Sequence, residues 1–262
     1  MKICMLASGS RGNCTYIETG DKKILIDVGI TFKQMNLKLK QIGVDINEID
    51  AVFITHEHLD HVLGLRTFSN NLDCDFYLTQ GTYDNLKNNV HETLSKKNFK
   101  IIAGYEEIIL NDSIIKAIPT HHDAAESVGF KIVDKETSLV LITDTGYMDA
   151  SLFHHIENAT CYIIESNYDP AVLQDSNRPR KTKNRISGDY GHMSNEDCAI
   201  NLCSLMGENT KLVIHAHISL ECNSEELIVE TFRRIFFEYK KEVGNIRFVC
   251  SKQYEITEVF EL

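Results

Sequence analysis

The sequence predicts an α/β fold in which β-sheets are covered by helices on their outer faces. Short β-branched and apolar runs, bounded by Gly-rich or polar turns, recur along the chain and are typical of strands. Strands and helices follow one another in a similar order in the two halves, although no residue-level repeat accompanies them. No Pro/Gly/Ser-rich linker interrupts the 262 residues, so we expect one domain over residues 1–262.

The first half is predicted to contain mainly β-structure and one amphipathic helix. A helix over residues 31–42 is indicated by apolar side chains at Phe32, Met35, Leu39 and Ile42, which recur at helical spacing. The strands, each a short apolar run, are expected at residues 2–6, 15–18, 23–28, 51–55, 76–78, 100–102, 107–110 and 114–118.

The second half is predicted to alternate strands with two longer helices, at residues 195–206 and 224–242. Ser194 and Asp197 fit the capping pattern that starts a helix at residue 195. The segment 169–191 is polar, basic and the least regular part of the chain. Strands are expected at residues 128–133, 138–143, 161–165 and 211–215, followed by two closing strands.

Composition and charge restrict the class of protein. The formal net charge is −11, and a uniformly acidic surface would repel phosphate backbones, which disfavours a passive nucleic-acid-binding module. An enzyme is a different case, because bound divalent cations would reverse the potential inside a cleft. Eight cysteines without a C-x-x-C pair, no signal peptide and no long apolar run predict a cytoplasmic protein with reduced thiols and no membrane association.

The first segment with candidate functional residues is THEHLDH at residues 55–61, directly after an apolar run. In an extended segment, residues two apart face the same side, so His56 and His58 can reach one metal ion. Asp60 and His61 follow where the chain must turn and can address a second position. Imidazole and carboxylate ligands suit zinc and related divalent metals. We therefore expect a two-metal site organised by these four residues.

Two metal ions need more ligands, and the ends of later strands supply candidates. His121 or His122 follows the run IIKAIP, Asp144 follows LVLIT, and His215 or His217 follows LVI. Each lies where a strand gives way to a loop, so that all could converge at one edge of a sheet. At this level the residues leave the choice within each histidine pair open.

Asp27 in ILIDVG, the HEHLDH segment and the downstream order His, Asp, His together resemble the metallo-β-lactamase superfamily. The resemblance implies a four-layer αββα sandwich with a dinuclear site at its edge, holding two Zn²⁺ ions or alternatively Mn²⁺. Asp27 would support the HEHLDH loop without binding metal. The first metal would be held by His56, His58 and His122, the second by Asp60, His61 and His217, with Asp144 bridging both.

Finer motifs resemble the YycJ/WalJ group of this superfamily, bacterial cytoplasmic hydrolases related to RNase Z and RNase J. They are LASGSRGNC, HDAAESVGF, ITDTG, IESNYD, GHMSNEDCA and HISLECN. The second favours His122 as the ligand, and the last favours His217. The chain departs from the group's pattern at Tyr168, where His is usual, and at Cys222, where Asn is usual. Both changes leave the metal ligands intact and fall near expected substrate contacts.

The resemblance implies a phosphodiesterase or nuclease that acts on single- or double-stranded DNA, as a 5′-to-3′ exonuclease in DNA repair. Two metal ions would activate water and stabilise charge on the phosphoryl oxygens. Asp60 is expected to orient the nucleophile in addition to binding metal. His192, in GHMSN, is expected to protonate the leaving oxygen or to hold a phosphate; alternatively it only precedes a helix cap. Asn167, in IESN, is expected to contact the substrate.

Two further segments are candidates for substrate binding. The basic run RPRKTKNR, residues 178–185, is either a grip on the nucleic-acid backbone or a solvated loop. The turn SGSRGN either meets a phosphate or forms a tight hairpin in which Gly supplies positive φ. The candidate substrate-binding residues are Ser10, Asn13, Asn167, His192, Arg180, Lys181, Lys183 and Arg185.

Other functions stay open beside the nuclease. A thiolesterase of the glyoxalase II type or a small cyclic phosphodiesterase would use the same fold. β-Lactamase activity is not indicated, because many lactamases have Cys where Asp144 stands here. A metal-binding regulatory protein is the non-enzymatic alternative, and the complete ligand set argues against it. The sequence does not specify an oligomeric state.

Overall fold

The computed structural model describes all 262 residues, and its contacts divide the chain into two compact units. Unit 1 comprises Met1–Pro119, Ala124–Glu136 and Ser251–Leu262, and unit 2 comprises Thr120–Asp123 and Thr137–Cys250. Neither unit is a continuous stretch of sequence, because the chain leaves unit 1 twice and returns to it twice. One independently folding domain over residues 1–262 stays a prediction.

The regular elements are fourteen strands and ten α-helices. The strands are β1 (Lys2–Ala7), β2 (Cys14–Thr19), β3 (Lys22–Ile26), β4 (Ala51–Phe53), β5 (Asp75–Thr79), β6 (Phe99–Ile102), β7 (Glu107–Leu110), β8 (Ser113–Pro119), β9 (Val128–Asp134), β10 (Thr137–Ile142), β11 (Cys161–Glu165), β12 (Leu212–Ala216), β13 (Arg247–Cys250) and β14 (Phe260–Glu261). The helices are α1 (Phe32–Gln41), α2 (Leu59–Val62), α3 (Leu65–Asn71), α4 (Gln80–Asn85), α5 (Asn88–Leu94), α6 (Phe153–Ile156), α7 (Pro170–Asp175), α8 (Arg180–Ile186), α9 (Asn195–Leu205) and α10 (Glu225–Glu238).

In unit 1, seven strands form a mixed sheet in the order β14-β1-β2-β3-β4-β5-β6. The pairs from β14 to β3 are antiparallel, and those from β3 to β6 are parallel. Ile26 pairs with Phe53, so the carboxyl ends of β3 and β4 lie side by side. The segments 27–29 and 55–61 therefore leave this sheet at the same edge. Strands β7, β8 and β9 form further antiparallel pairs in this unit.

Helix α1 shows how local sequence and core packing agree in unit 1. The Thr31 hydroxyl accepts the Gln34 N–H, and the Gln34 side chain accepts the Thr31 N–H, which is a capping box. The helix buries Met35 and Leu39 in the apolar core. The predicted helix over residues 31–42 is confirmed to within one residue at each end.

In unit 2, strands β10, β11, β12 and β13 run parallel, in chain order. Apolar side chains fill them, as expected for parallel strands that are covered on both faces. Helix α10 buries Ile228, Phe232, Ile235 and Phe236 along one side. Since ligands of parallel sheets bind beyond the carboxyl ends of the strands, the residues after β10, β11 and β12 form the candidate site of this unit.

Helices α3, α4 and α5 were not predicted, and two segments of the second half also differ from the sequence-based prediction. The segment 169–191 contains helices α7 and α8, where little regular structure was expected. The Asp169 carboxylate accepts the N–H groups of Ala171 and Val172 with Pro170 in the first turn, a strong helix start. The helix predicted to reach residue 242 ends at Glu238, because Lys240 has a φ of 51° and closes it.

Candidate metal centre

The HEHLDH segment forms a compact cluster of ligand side chains in unit 1. His58 caps α2, so the chain turns there from extended to helical backbone. The ring of His56 lies 4.7 Å from the ring of His58 and 4.0 Å from that of His61, measured between centroids. His56 and His61 are buried, whereas His58 and Asp60 are partly exposed. The predicted change of direction after His58 is confirmed.

Asp27 orients this cluster from the end of β3. Its Oδ2 accepts a hydrogen bond from Nδ1 of His61 at 2.7 Å, and its Oδ1 accepts the Thr55 N–H at 2.9 Å. The Thr55 hydroxyl also donates to Asp27 and lies 3.0 Å from Nδ1 of His56. A histidine held through Nδ1 presents Nε2 to a metal, so the contacts of Asp27 match the supporting role expected of it.

The backbone at Gly29 packs directly against the ligand loop. The Val28 N–H donates to the carbonyl of His61 at 2.9 Å. A Cβ atom built on Gly29 would lie 1.6 Å from the carbonyl oxygen of Asp60, which is backbone and cannot swing away. Glycine is therefore required here by a close backbone approach.

The turn SGSRGN joins β1 to β2, and both of its glycines have positive φ, 132° at Gly9 and 148° at Gly12. The structure therefore favours the hairpin interpretation of this turn. Asn13 is buried, and its amide nitrogen lies 3.0 Å from Nε2 of His61 and 3.4 Å from Oδ2 of Asp60. Ser10 is exposed at the tip. Contact of Ser10 and Asn13 with a substrate phosphate stays a prediction.

In unit 2, the loops after β10 and β12 each contain a predicted metal ligand in the left-handed backbone region. Asp144 has a φ of 56° and His217 a φ of 51°. Such values are uncommon for residues other than glycine and cluster at functional sites. Oδ1 of Asp144 lies 3.4 Å from Nε2 of His217 and 3.8 Å from Nε2 of His122. The two strand-end histidines favoured by the family motifs are thus the ones that face Asp144.

The competing histidines make other contacts. His121 stacks on Tyr147, with ring centroids 4.1 Å apart. His215 packs edge-on against Phe232, and its Nδ1 lies 3.0 Å from the Ser166 hydroxyl. Burial lowers the pKa of His215 to about 3, so this ring stays neutral. Residues two apart in a strand share a face, and the left-handed φ of His217 is what separates its ring from that of His215.

Glu165, which the sequence reasoning did not select, lies at the centre of this cluster. Its Oε1 accepts hydrogen bonds from Nδ1 of His192 at 2.7 Å and from Nδ1 of His217 at 3.1 Å. Its Oε2 accepts the N–H groups of Thr145 and Met193. Burial opposes ionisation of this carboxyl, but the charge of His192 and the hydrogen bonds from His192 and His217 outweigh it and lower the pKa of Glu165. A charged residue that ends the wholly apolar run of β11 was the available signal.

His192 belongs to the same cluster. Its Nδ1 is held by Glu165 and lies 3.8 Å from Oδ1 of Asp144. Ser194 caps α9 through the Asp197 N–H, so the proposed helix cap also exists, but it does not involve the imidazole. Ligand atoms of Asp144, Glu165, His192 and His217 all lie within 4.8 Å of one another.

His122 is buried and adopts the tautomer of a metal ligand. Its Nδ1 donates to the carbonyl of Gly191 at 2.9 Å, which leaves Nε2 facing Asp144. Burial is the main cause that lowers the pKa of His122, and this favours the neutral form that binds metal. Imidazoles and carboxylates with fixed orientations form a donor set that fits divalent metal ions.

The predicted substrate-binding residues of unit 2 fall into two groups. Asn167 is buried and donates to the carbonyl of His217 at 2.7 Å, so it holds a ligand loop. The four basic residues lie on α8, a helix and not the solvated loop considered above. Arg185 forms a bidentate pair with Asp123, next to His122. Substrate contact by Asn167, Arg180, Lys181, Lys183 and Arg185 stays a prediction.

The two departures from the YycJ/WalJ pattern are buried in one small cluster. Tyr168 and Cys222 are 6% and 1% exposed and pack with Leu173 of α7 and Ile186 of α8. The Asp169 N–H also donates to the carbonyl of Cys222. The two residues therefore anchor the basic helix through apolar packing, and their side chains do not contact solvent.

Comparisons with known proteins identify the family of this chain. A family model described as a beta-lactamase superfamily domain matches residues 22–216. The chain is 33% identical over 244 residues to the exodeoxyribonuclease YycJ of Bacillus anthracis, covering 93% of this chain and 92% of that protein. It is 34% identical over 233 residues to the exodeoxyribonuclease WalJ of Streptococcus pneumoniae, covering 86% and 84%. The solved structure of the metallo-beta-lactamase fold protein YhfI from Bacillus subtilis matches with a TM-score of 0.70, at 15% identity and 98% coverage of both chains.

These similarities confirm the predicted αββα fold class, with its two mixed β-sheets flanked by helices. None of the helices is both long enough and apolar enough to cross a membrane.

Proposed function

Because the chain belongs to the metallo-β-lactamase superfamily and is a metal-dependent hydrolase, we propose that it is a phosphodiesterase that degrades DNA from its 5′ end during DNA repair. One observation carries this proposal furthest. A cluster of two carboxylates and two imidazoles, Asp144, Glu165, His192 and His217, lies at the carboxyl ends of the parallel strands of unit 2, and all of its members except the partly exposed His192 are buried. The exodeoxyribonuclease relatives support DNA as the substrate.

The proposed centre holds two divalent metal ions, with Zn²⁺ preferred over Mn²⁺ because imidazoles dominate the donor set. The ligand assignment follows the family pattern, supported by hydrogen bonds that hold Nδ1 of His61, His122 and His217 on Asp27, the Gly191 carbonyl and Glu165. The proposed ligands are His56, His58 and His122 for one ion, Asp60, His61 and His217 for the other, and Asp144 for both.

When bound, the metal ions supply Lewis-acid charge and an activated water for attack on phosphorus. The chain's own residues fix the geometry of that attack. Asp27 holds His61 and Glu165 holds His217, each through Nδ1. Asp60 is proposed to orient the attacking water through a hydrogen bond in addition to binding metal, and its partial exposure is compatible with both roles.

His192 is proposed to serve the leaving oxygen. Glu165 fixes the imidazole with Nδ1 donating, at 2.7 Å. The remaining nitrogen, Nε2, can then donate a proton to the departing alkoxide or bind a phosphate oxygen. His192 is only partly buried, so a substrate can reach it.

The phosphate backbone is proposed to contact Ser10 and Asn13 in the turn after β1, together with Asn167 and the basic residues of α8. In a chain of net charge −11, the charges of Arg180, Lys181, Lys183 and Arg185 form a local exception that suits a polyanion. A cytoplasmic location is part of the proposal, since all eight cysteines are free thiols.

The test compares hydrolysis of four substrates by protein saturated with Zn²⁺ or Mn²⁺. They are 5′-labelled single-stranded DNA, 5′-labelled duplex DNA, S-lactoylglutathione and a 3′,5′-cyclic nucleotide. We expect metal-dependent release of the labelled 5′ nucleotide and negligible turnover of the thiolester. His58→Ala should release no nucleotide. Preferred thiolester or cyclic-nucleotide turnover would replace the nuclease by that alternative. Turnover of none of the four would indicate a binding protein.

A further inference from the structure

Three aromatic rings gather at the surface of unit 2, and we define them as the aromatic platform: His121, Tyr147 and Tyr190. The ring of His121 stacks on that of Tyr147, with centroids 4.1 Å apart and planes 24° apart. The Tyr190 ring lies 6.4 Å from His121 at 56°. Tyr147 is 39% exposed and Tyr190 is 61% exposed, so ring surface is open to solvent. None of the three has a role in the metal chemistry described above.

The platform is built on a rigid backbone. The His121 N–H donates to the Thr145 hydroxyl, which donates to the carbonyl of Tyr147 at 2.7 Å. The Gly146 N–H donates a hydrogen bond to the carbonyl of His121 at 2.8 Å. A Cβ on Gly146 would lie 2.3 Å from the carbonyl oxygen of Asp189, so the loops that carry Tyr147 and Tyr190 pack backbone to backbone. Such rings are ordered before a ligand arrives, which lowers the entropic cost of binding.

The platform is also connected directly to the metal ligands of this unit. His121 precedes the proposed ligand His122, and the Asp123 N–H donates to the carbonyl of Tyr190 at 3.0 Å. The carbonyl of Gly191, the residue after Tyr190, accepts a hydrogen bond from Nδ1 of His122. A group that rests on the platform is therefore held next to the position where a phosphodiester would react.

The carboxylates of Asp149 and Asp189 act on Tyr147, and the cations of the basic helix α8 provide the positive charge from which we infer the chemistry of the ligand. Arg185 pairs with Asp123 at the end of the basic helix α8, five residues before Tyr190. Aromatic rings beside a line of cations are the arrangement that binds single-stranded nucleic acids, because bases stack on the rings while phosphates meet the cations. A base inside a duplex has both faces covered by its neighbours, and a terminal paired base has only its outer face open, so an unpaired base is the better ligand for these rings.

We propose that the aromatic platform binds an unpaired nucleobase at the reacting end of the substrate, with Tyr190 and Tyr147 as the stacking residues. This inference rests on the proposed nuclease function and makes it more specific. The preferred substrate is then a single-stranded or frayed end, because the terminal base of a blunt end is held by its partner and offers only its outer face.

The test uses metal-loaded protein and a single-stranded oligonucleotide whose 5′ terminal base is either present or removed to leave an abasic sugar. We expect Tyr190→Ala to lower kcat/KM about 10-fold on the intact oligonucleotide, the size of one lost stacking contact. On the abasic oligonucleotide, Tyr190→Ala and the unmodified protein should be equal. Tyr190→Phe should retain activity on both, because the ring is kept. Tyr239→Ala removes another exposed tyrosine and serves as the matched control.

A second readout does not require cleavage. A 2-aminopurine base at the oligonucleotide's 5′ end loses fluorescence when it stacks on a ring. We expect quenching on binding to the unmodified protein and none with the double variant Tyr147→Ala, Tyr190→Ala. Equal activity of Tyr190→Ala and unmodified protein on the intact end, or equal losses on the intact and abasic ends, would overturn the platform while leaving the nuclease proposal in place. Quenching without any cleavage would retain the platform and reject the nuclease proposal. The absence of both quenching and cleavage would reject both proposals.

Discussion

At the residue scale, each buried histidine of the proposed centre is oriented by a partner on Nδ1. Asp27 holds His61, Glu165 holds His217, and the carbonyl of Gly191 holds His122. Fixing Nδ1 selects the tautomer and leaves Nε2 for the metal. Glu165 is unusual because one carboxylate oxygen serves two rings, those of His192 and His217.

Glu165→Gln is therefore expected to weaken metal binding by about 10- to 100-fold, since an amide cannot accept from both rings with the strength of a carboxylate. The measurement is competition for Zn²⁺ against a chromophoric chelator. Glu157→Gln, at an exposed glutamate, is the matched control and should leave the affinity unchanged. Equal affinity in Glu165→Gln and the unmodified protein would show that the carboxylate does not orient the ligands.

At the residue scale, sequence reasoning succeeded for the HEHLDH segment and failed for Glu165. The HEHLDH segment could be interpreted from local spacing alone, because its four ligands lie within six residues. Glu165 could not, because its role depends on two rings that are 27 and 52 residues distant in sequence. The positive φ values of Asp144 and His217 were equally hidden, since neither residue type requires them.

At the element scale, the loops after β3 and β4 fit together without room for a side chain at Gly29. Gly29→Ala would place a methyl group against the carbonyl of Asp60, and we expect a destabilisation of about 2 kcal/mol or more together with loss of metal binding. The measurements are urea unfolding and metal content after purification. Gly43→Ala is a comparison variant that introduces backbone strain without a steric clash, because Gly43 has a φ of 76° with open space around it. It should lose less stability than Gly29→Ala and retain its metal, and an equal or greater loss in Gly43→Ala would contradict the steric argument.

The end of α10 gives an independent prediction of stability. Lys240 adopts a φ of 51°, and the N–H of Lys241 donates to the carbonyl of Phe236 at 2.8 Å, as in a Schellman helix end. A side chain in this conformation is strained, so Lys240→Gly should raise the free energy of unfolding by about 0.5–1 kcal/mol. Lys240→Ala removes the charge but keeps the Cβ and should give no gain. A gain of equal size in both variants would assign the effect to charge.

The same elements show what local patterns could predict. The strands and α1 follow hydrophobic periodicity and were located to within one or two residues. The end of α10 was missed because its apolar pattern continues past a residue that leaves the helix. Helices α7 and α8 were missed because both are short and α8 is polar, and the helix α8 is held through Ile186 by the buried pair Tyr168 and Cys222.

At the scale of the whole molecule, charge is distributed unevenly, with an acidic chain that carries a basic helix beside one half of the site. Replacing Arg180, Lys181 and Lys183 with Gln in one variant should make the plot of log affinity for single-stranded DNA against log salt concentration shallower, with a slope smaller by about two. Arg185 is left intact because it pairs with Asp123. The measurement is oligonucleotide affinity across a range of salt concentrations.

The control for this experiment changes the same net charge elsewhere on the surface. Lys40, Lys87 and Lys96 are exposed and lie in unit 1, and replacing them with Gln should leave the slope nearly unchanged. Equal changes of slope in the two triple variants would mean that net charge, and not the position of α8, governs binding.

Fold class was predictable at this scale because layered α/β order, a metal motif after an apolar strand and strand-end ligands all agree. The division into two discontinuous units was not, because composition does not change where the chain passes between them. The identity of the metal and the polarity of cleavage depend on energies that neither composition nor motif spacing specifies.

The central claim is that seven side chains from separate segments bind two divalent metal ions. Metal analysis of protein saturated with Zn²⁺ and then freed of excess, alongside His58→Ala and Asp144→Asn, tests it most directly. We predict two ions per chain in the unmodified protein, about one after loss of His58, and fewer than two after loss of the shared carboxylate of Asp144. Retention of the same metal content in all three proteins, or binding of none, would contradict it.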